Sequence, residues 1–213
     1  YKSVEESIND PEKYSDNIIG TINLMRVMCK FQVKMVIFSS SAAVYGNPKY
    51  VPIDEKHQLQ PINYYSFTKL ECEKIINWFS KFKKMIGINL RYFNVAGDYG
   101  LAYINDGGLD IFSILMEVLS GKRNEFVVFG KDYNTKDGTC IRDYIDLRDI
   151  VDAHILALKL NKSEVINLGT SKGVSVLELV NYVKNISKKN LKIKIGKKRK
   201  GDPPISVASF NKA

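Results

Sequence analysis

Histidine, cysteine and arginine are scarce in this 213-residue sequence, and each shortage removes a class of chemistry. His57 and His154 are the only histidines, a poor supply for a metal centre or a nucleophile–histidine triad, and no metal is expected. Cys29, Cys72 and Cys140 are odd in number and far apart, with no CxxC pair, which predicts reduced thiols and argues against a zinc site. No apolar run reaches the ~20 residues of a membrane span. The opening YKSVEES is not a secretory leader, so a cytoplasmic location without a membrane partner is expected. Only six of the 32 basic residues are arginine, and lysine carries most of the net charge of +9. Nine basic residues fall between Lys184 and Lys200 with no acid among them, and the rest of the chain is neutral. Such a run can mark a nucleic-acid contact, but a solvated lysine face is the commoner source, and no nucleic-acid partner is expected.

What is present suffices for a sizeable core, with 45% hydrophobic and 26% charged residues. Apolar runs rich in β-branched residues at 33–38, 86–93, 125–129 and 165–168 read as strands. They alternate with helical periodicity over 16–31, 66–83, 111–119, 147–160 and 176–186, the pattern of an α/β protein on a doubly wound parallel sheet. Ser175 with Glu178 predicts a capping box, and Asp146 an N-cap. Turn-rich segments at 47–63 and 98–108 are the loops expected to carry function. A doubly wound cofactor-binding domain should open with a strand, a glycine-rich turn and a helix that receives a pyrophosphate. Residues 1–31 hold no such turn and lead into a helix, as if the first strands had been removed. A sheet truncated in this way would expose an edge with unpaired backbone groups, which predicts an aggregation-prone chain.

Tyr65 and Lys69 are spaced i, i+4 in a segment of helical composition and so share one helix face. With 12 tyrosines and 26 lysines, about 1.5 such pairs arise by chance. The second pair, Tyr45 and Lys49, encloses Gly46 and Pro48 and cannot be helical. Context selects Tyr65. The strand VKMVIF empties into Ser39, Ser40 and Ser41, placing hydroxyls at a carboxyl edge where open α/β sheets bind ligands. A further strand ends in RYFNVAG and brings Phe93 and Asn94 to the same edge. A phenol titrating near pH 10 is too basic to be ionised as a general base at neutral pH. An ammonium ~5 Å away at an effective dielectric of ~20 favours phenolate by about 3 kcal/mol, or roughly two pKa units. That is barely enough, so a second positive charge, such as the ring of an oxidised nicotinamide cofactor, is required. Ser41 can hydrogen-bond the substrate hydroxyl that such a base would deprotonate and relay its proton.

The segments FSSSAAVYG, PINYYSFTK, RYFNVAG, DYNTKDGTCIRDY and RKGDPP, in that order, resemble the UDP-glucose 4-epimerase family of the extended short-chain dehydrogenase/reductase superfamily. The similarity covers nearly the whole chain, while the family's N-terminal GxxGxxG turn and last C-terminal stretch have no counterpart. The resemblance implies the remainder of a Rossmann-like NAD-binding domain at 1–97. It implies a smaller α/β part, mainly for UDP-sugar binding, at 98–213, with strand 165–168 returning to the main sheet. The implied reaction interconverts UDP-glucose and UDP-galactose. Tyr65, aided by Lys69 and Ser41, removes the 4-hydroxyl proton while hydride passes to NAD; the 4-keto sugar turns over, and hydride returns to its other face. Such a cycle favours tight nucleotide contacts and loose sugar contacts. Cofactor contacts are implied at Lys2, Asp16 or Asn17, Ser39, Ser41, Tyr65, Lys69 and Phe93. Substrate contacts are implied at Ser41, Tyr65, Asn94, Asp110, Ile111, Val127, Val128, Phe129, Arg142, Arg199, Asp202 and Ser206, with both guanidinium groups on the diphosphate. A homodimer through a four-helix bundle is also implied, with 16–31 and 66–83 as its helices.

Departures from the family pattern carry their own expectations. Asp110 stands where the family usually has Asn or His, setting an anion near an anionic nucleotide. Ser206 aligns with a gate at the sugar's 2-position, and its small size predicts acceptance of UDP-N-acetylhexosamines. Ala42 and Ala43 replace the acid–base pair of sugar-nucleotide 4,6-dehydratases and argue against elimination. A decarboxylase or 4-reductase is an alternative that leaves the DGTCIRDY block less well explained. From a different class, the alternative is a non-catalytic fragment that binds NAD weakly and turns over negligibly.

Overall fold

The computed structural model describes residues 1–98, 110–199 and 201–213. Apart from Asp98, the turn-rich segment expected at 98–108 lies outside the described residues. Helices α1 (Val4–Asn9) and α2 (Pro11–Lys30) open the chain. α2 starts well before residue 16 because Asp10 caps it, its carboxylate accepting the Lys13 N–H at 3.0 Å, and Pro11 sits in the first turn, where no N–H is needed. β1 (Met35–Ser41) runs past the apolar residues to take in all three serines and is followed by a 3-10 turn at Ala42–Tyr45. α3 (Tyr64–Lys83) begins at a reciprocal cap: Asn63 Oδ1 accepts the Ser66 N–H at 2.9 Å, and Ser66 Oγ accepts the Asn63 N–H at 3.3 Å. That cap puts Tyr65 in the first helical turn. β2 (Ile86–Tyr92), β3 (Asn94–Ala96), α4 (Ile111–Leu119), β4 (Phe126–Phe129), β5 (Ile141–Asp146), α5 (Leu147–Ala157) and β6 (Glu164–Leu168) follow. The remainder is β7 (Gly173–Ser175), α6 (Val176–Ser187), β8 (Ile193–Gly196) and β9 (Ile205–Ser206). Both expected caps form: the Ser175–Glu178 box on α6, and Asp146 accepting the Arg148 N–H at 2.8 Å on α5.

β1, β2 and β6 make a parallel sheet in that order, with Ser41 beside Tyr92 and Tyr92 beside Leu168. Alternation along the strands divides their side chains between two cores. Val36 and Phe38 pack with Met25, Met28 and Ile76 of α2 and α3; Ile37, Ile88, Leu90 and Leu168 pack with Ile150 and Ala157 of α5. Burial on both faces is why these strands read as unbroken apolar runs. β5 is the hub of a second, four-stranded sheet, pairing parallel with β3 and β9 and antiparallel with β7. Its buried Asp143 carboxylate accepts N–H groups from Thr170, Ser171 and Ala208 at 2.8, 3.0 and 3.0 Å, joining three chain segments. β4 pairs with β8 and packs with α4 and α6 around Leu115, Phe126, Val128 and Val180. Among the described residues no helix is long and apolar enough to cross a membrane.

Candidate active site

The ends of β1 and β2 and the first turns of α3 converge on one edge. Lys69 Nζ donates to the Ser39 carbonyl at 2.9 Å and lies 4.9 Å from the Phe38 ring centroid and 5.9 Å from that of Tyr65. The Tyr65 phenol lies near the Ser41 hydroxyl, and its backbone N–H donates to Ser7 Oγ at 3.1 Å. Burial pushes the Tyr65 phenol above its ordinary range, offset only in part by Ser41, and burial pushes the Lys69 ammonium down. The lowering of Tyr65 expected from Lys69 is therefore corrected. Desolvation penalises both charged forms, and the ammonium spends its bond on a backbone carbonyl. With no further positive charge, Tyr65 stays protonated at neutral pH.

Beneath this edge lies a buried network that sequence reasoning missed. Arg91 Nε and Nη2 donate to the two Glu73 carboxylate oxygens at 2.9 and 2.6 Å, and Nη1 donates to Tyr45 OH at 2.9 Å. Tyr45 donates to Asn167 Oδ1 at 2.7 Å, Asn167 Nδ2 donates to the Ile53 carbonyl at 3.0 Å, and Ser40 donates to Glu73. The group spans α3, β1, β2 and β6 and sets how the helix carrying Tyr65 sits on the sheet. Its one sequence signal was an arginine inside the apolar strand NLRYF.

Two adjoining cavities face this edge. One, of about 230 Å³, is lined by Asn94, Asp110, Ile111, Val127, Phe129, Arg142, Arg199 and Asp202. The other, of about 170 Å³, is lined by Ser41, Phe93, Asn94, Arg142, Asp202 and Ser206. Arg142 Nη1 donates to the carbonyls of Ile141 and Pro203 at 2.9 and 2.8 Å, and its Nη2 lies 3.3 Å from Asp202. Arg199 is stacked with its Cζ 3.9 Å from the Phe129 ring centroid. Asp110 accepts the Ser113 N–H and hydroxyl at 2.9 and 2.6 Å, so the anion that looked out of place caps α4. Strand alternation turns the Val128 side chain into the Leu115 core and leaves its backbone for a ligand. Phe93 is also largely core, packed with Val44, Tyr45 and Leu70. On the far side of Lys69, a cleft of about 320 Å³ is lined by residues that include Asp16, Asn17, Gly20, Phe38 and Lys69. Asn17 faces α3, its Nδ2 3.4 Å from Thr68 Oγ1, whereas Asp16 and Lys2 are exposed. Of the lysine-rich run, Lys192 and Lys194 pair with Glu125 and Lys198 with Asp132.

A profile of the NAD dependent epimerase/dehydratase family matches residues 1–169. UDP-glucose 4-epimerase of Lactobacillus helveticus is 44% identical over 222 residues, covering 100% of this chain and 67% of its own length. The Lacticaseibacillus casei protein of the same name is 41% identical over 221 residues, with coverage of 100% and 67%. The crystal structure of UDP-glucose 4-epimerase from Stenotrophomonas maltophila, with bound NAD and formylated UDP-arabinopyranose, superposes with a TM-score of 0.94 at 35% identity, covering 100% of this chain and 66% of that one. The Bifidobacterium longum enzyme in complex with NAD+ and UDP superposes at 0.91 with 33% identity and the same coverage. The chain spans about two thirds of the length of these relatives. With a superposing fold and a family match over most of its residues, the chain belongs to the NAD dependent epimerase/dehydratase family.

Proposed function

We propose that these residues form the catalytic edge and the UDP-sugar pocket of a UDP-glucose 4-epimerase, an NAD-dependent isomerase interconverting UDP-glucose and UDP-galactose. The observation that carries this reading is Tyr65 beside Ser41 at the sheet edge, with Ser41 lining a cavity that also holds Asn94, Arg142 and Ser206. Residues 1–97 serve NAD binding and 98–213 mainly the UDP-sugar, with strand 165–168 in the main sheet. NAD fits this edge because the protonated, half-buried Tyr65 lacks one positive neighbour, and in this reading Asn17, Ser39, Lys69 and the largely buried Phe93 contact the cofactor. When bound, NAD supplies a hydride acceptor and donor, and its charged ring favours phenolate. Tyr65 then takes the proton of the sugar 4-hydroxyl, with Ser41 bonding the same oxygen, and returns it after the sugar turns. Asn94 contacts the sugar, and Arg142 and Arg199 hold the diphosphate, which requires Asp202 to release Arg142. Asp110, Ile111, Val127, Phe129 and the Val128 backbone border the nucleotide.

The small Ser206 leaves room at the sugar's 2-position, so UDP-N-acetylhexosamines are substrates too. A Ser206→Tyr variant should lose them while keeping UDP-glucose; equal handling of both sugars by variant and parent counts against this. The reading carries a cytoplasmic homodimer, supported by exposed Phe67, Trp78 and Phe82 along one face of α3. The central test is turnover of UDP-galactose to UDP-glucose, without NADH accumulation, by the protein that carries this chain. Tyr65→Phe should lower it by about 10²–10⁴-fold. Stoichiometric NADH release would refute epimerisation.

A further inference from the structure

Beyond the residues assigned above, Tyr92 and His154 continue a hydrogen-bonded chain from Ser39. Ser39 Oγ lies 2.8 Å from Tyr92 OH, which lies 2.8 Å from His154 Nε2, and His154 Nδ1 lies 2.8 Å from the Ile150 carbonyl. The fold explains the alignment. Ser39, Ser41 and Tyr92 point to one face of the sheet, and Tyr92, beside Ser41 in register, leans back towards Ser39. α5 packs on that face and brings His154 from its last turn to 5.8 Å from the Tyr92 ring.

The chain has a direction. A carbonyl only accepts, so His154 Nδ1 carries the hydrogen, and a neutral imidazole then has its lone pair on Nε2. Tyr92 must donate to that lone pair, and its oxygen accepts the Ser39 hydroxyl. The Ser39 hydrogen is directed inward, and only lone pairs face out. The same residue's carbonyl is gripped by Lys69 Nζ at 2.9 Å, so Ser39 is held from both sides. We propose that Tyr92 and His154 are positioning residues that fix Ser39 as a hydrogen-bond acceptor towards the bound cofactor, so that the cofactor group seated there is a donor, an amide N–H or a hydroxyl. This rests on the NAD site proposed above.

Nitrogen-15 NMR of the full chain at pH 8.5, above the ordinary titration range of imidazole, reads the direction. With two histidines in the sequence, His154→Gln assigns the signals by deletion. The expected result is His154 in the Nδ1–H tautomer, with Tyr92→Phe moving its Nε2 resonance and leaving His57 unchanged. An Nε2–H tautomer, or averaging of the two, overturns the proposal. Calorimetric titration with NAD supplies a second readout. Tyr92→Phe, which removes one hydroxyl and keeps the ring, should bind about three- to tenfold more weakly than the parent. Undiminished affinity also overturns it. Absence of NAD binding by the parent itself is failure of the NAD-site reading, and the tautomer then decides the relay alone.

Discussion

The proposed catalytic edge and the proposed nucleotide pocket share Arg142 and Asn94 as neighbours but hold their charges in opposite ways. Tyr65 and Lys69 stand on a buried floor in which Arg91 and Glu73 meet through two hydrogen bonds and every further arm finds a partner. In the pocket, Arg142 rests on two carbonyls and on a half-exposed Asp202, and Arg199 on an aromatic face. The buried floor cannot rearrange without stranding a charge, so it keeps the reacting groups in place. In the function proposed above, the pocket contacts, whose partners Asp202 and Phe129 are part-exposed, would be exchanged for a diphosphate at less cost than rearranging the floor. On that proposal, rigidity lies under the chemistry and exchangeable contacts under the nucleotide.

Mutations can break or sharpen this contrast. Removing one partner from the floor should have the largest effect: Glu73→Ala leaves a buried guanidinium and should cost about 3–5 kcal/mol in denaturant-induced unfolding. A loss below about 1 kcal/mol would mean the floor is no more rigid than the pocket. Arg142→Lys should weaken UDP binding by about ten- to a hundredfold, as the fork is lost, while changing stability by less than about 1 kcal/mol. Calorimetry and unfolding on the same sample check both halves, and a stability loss matching that of Glu73→Ala would erase the distinction. Asn63→Ala removes the cap that brings Tyr65 into the helix and should cost about 1 kcal/mol. The smallest effect belongs to a surface group. Hydrogen bonds from Arg148 lower the Asp146 carboxyl to about 2 from its ordinary 3.8. A depressed folded-state value stabilises above pH ~4 and is lost as pH falls towards ~2, so Asp146→Asn should flatten stability across that window and leave it unaltered in slope at neutral pH.

Much of the fold was legible because it follows from local periodicity. α4 occupies 111–119 as expected, the α6 and α5 caps form at Ser175 and Asp146, and the first strand delivers its serines to a carboxyl edge. β5 escaped notice because its sequence, IRDYID, is polar for reasons that lie elsewhere in the chain. Asp143 serves the N–H groups of Thr170, Ser171 and Ala208, and Arg142 faces the pocket. The early start of α2 turned on a single aspartate–proline step that carries no apolar signal.

The sequence by itself determined which residues could do chemistry: Tyr65 and Lys69 one helical turn apart, and serines at a strand end. These are matters of spacing, which the chain carries locally. Only the tertiary structure decided their state. It showed Tyr65 raised and Lys69 lowered by burial, Asp110 spent on a helix cap, Val128 turned to the core, and Ser39 tied through Tyr92 to His154. Desolvation and hydrogen-bond direction depend on which distant segments surround a group, and no one-dimensional spacing records that.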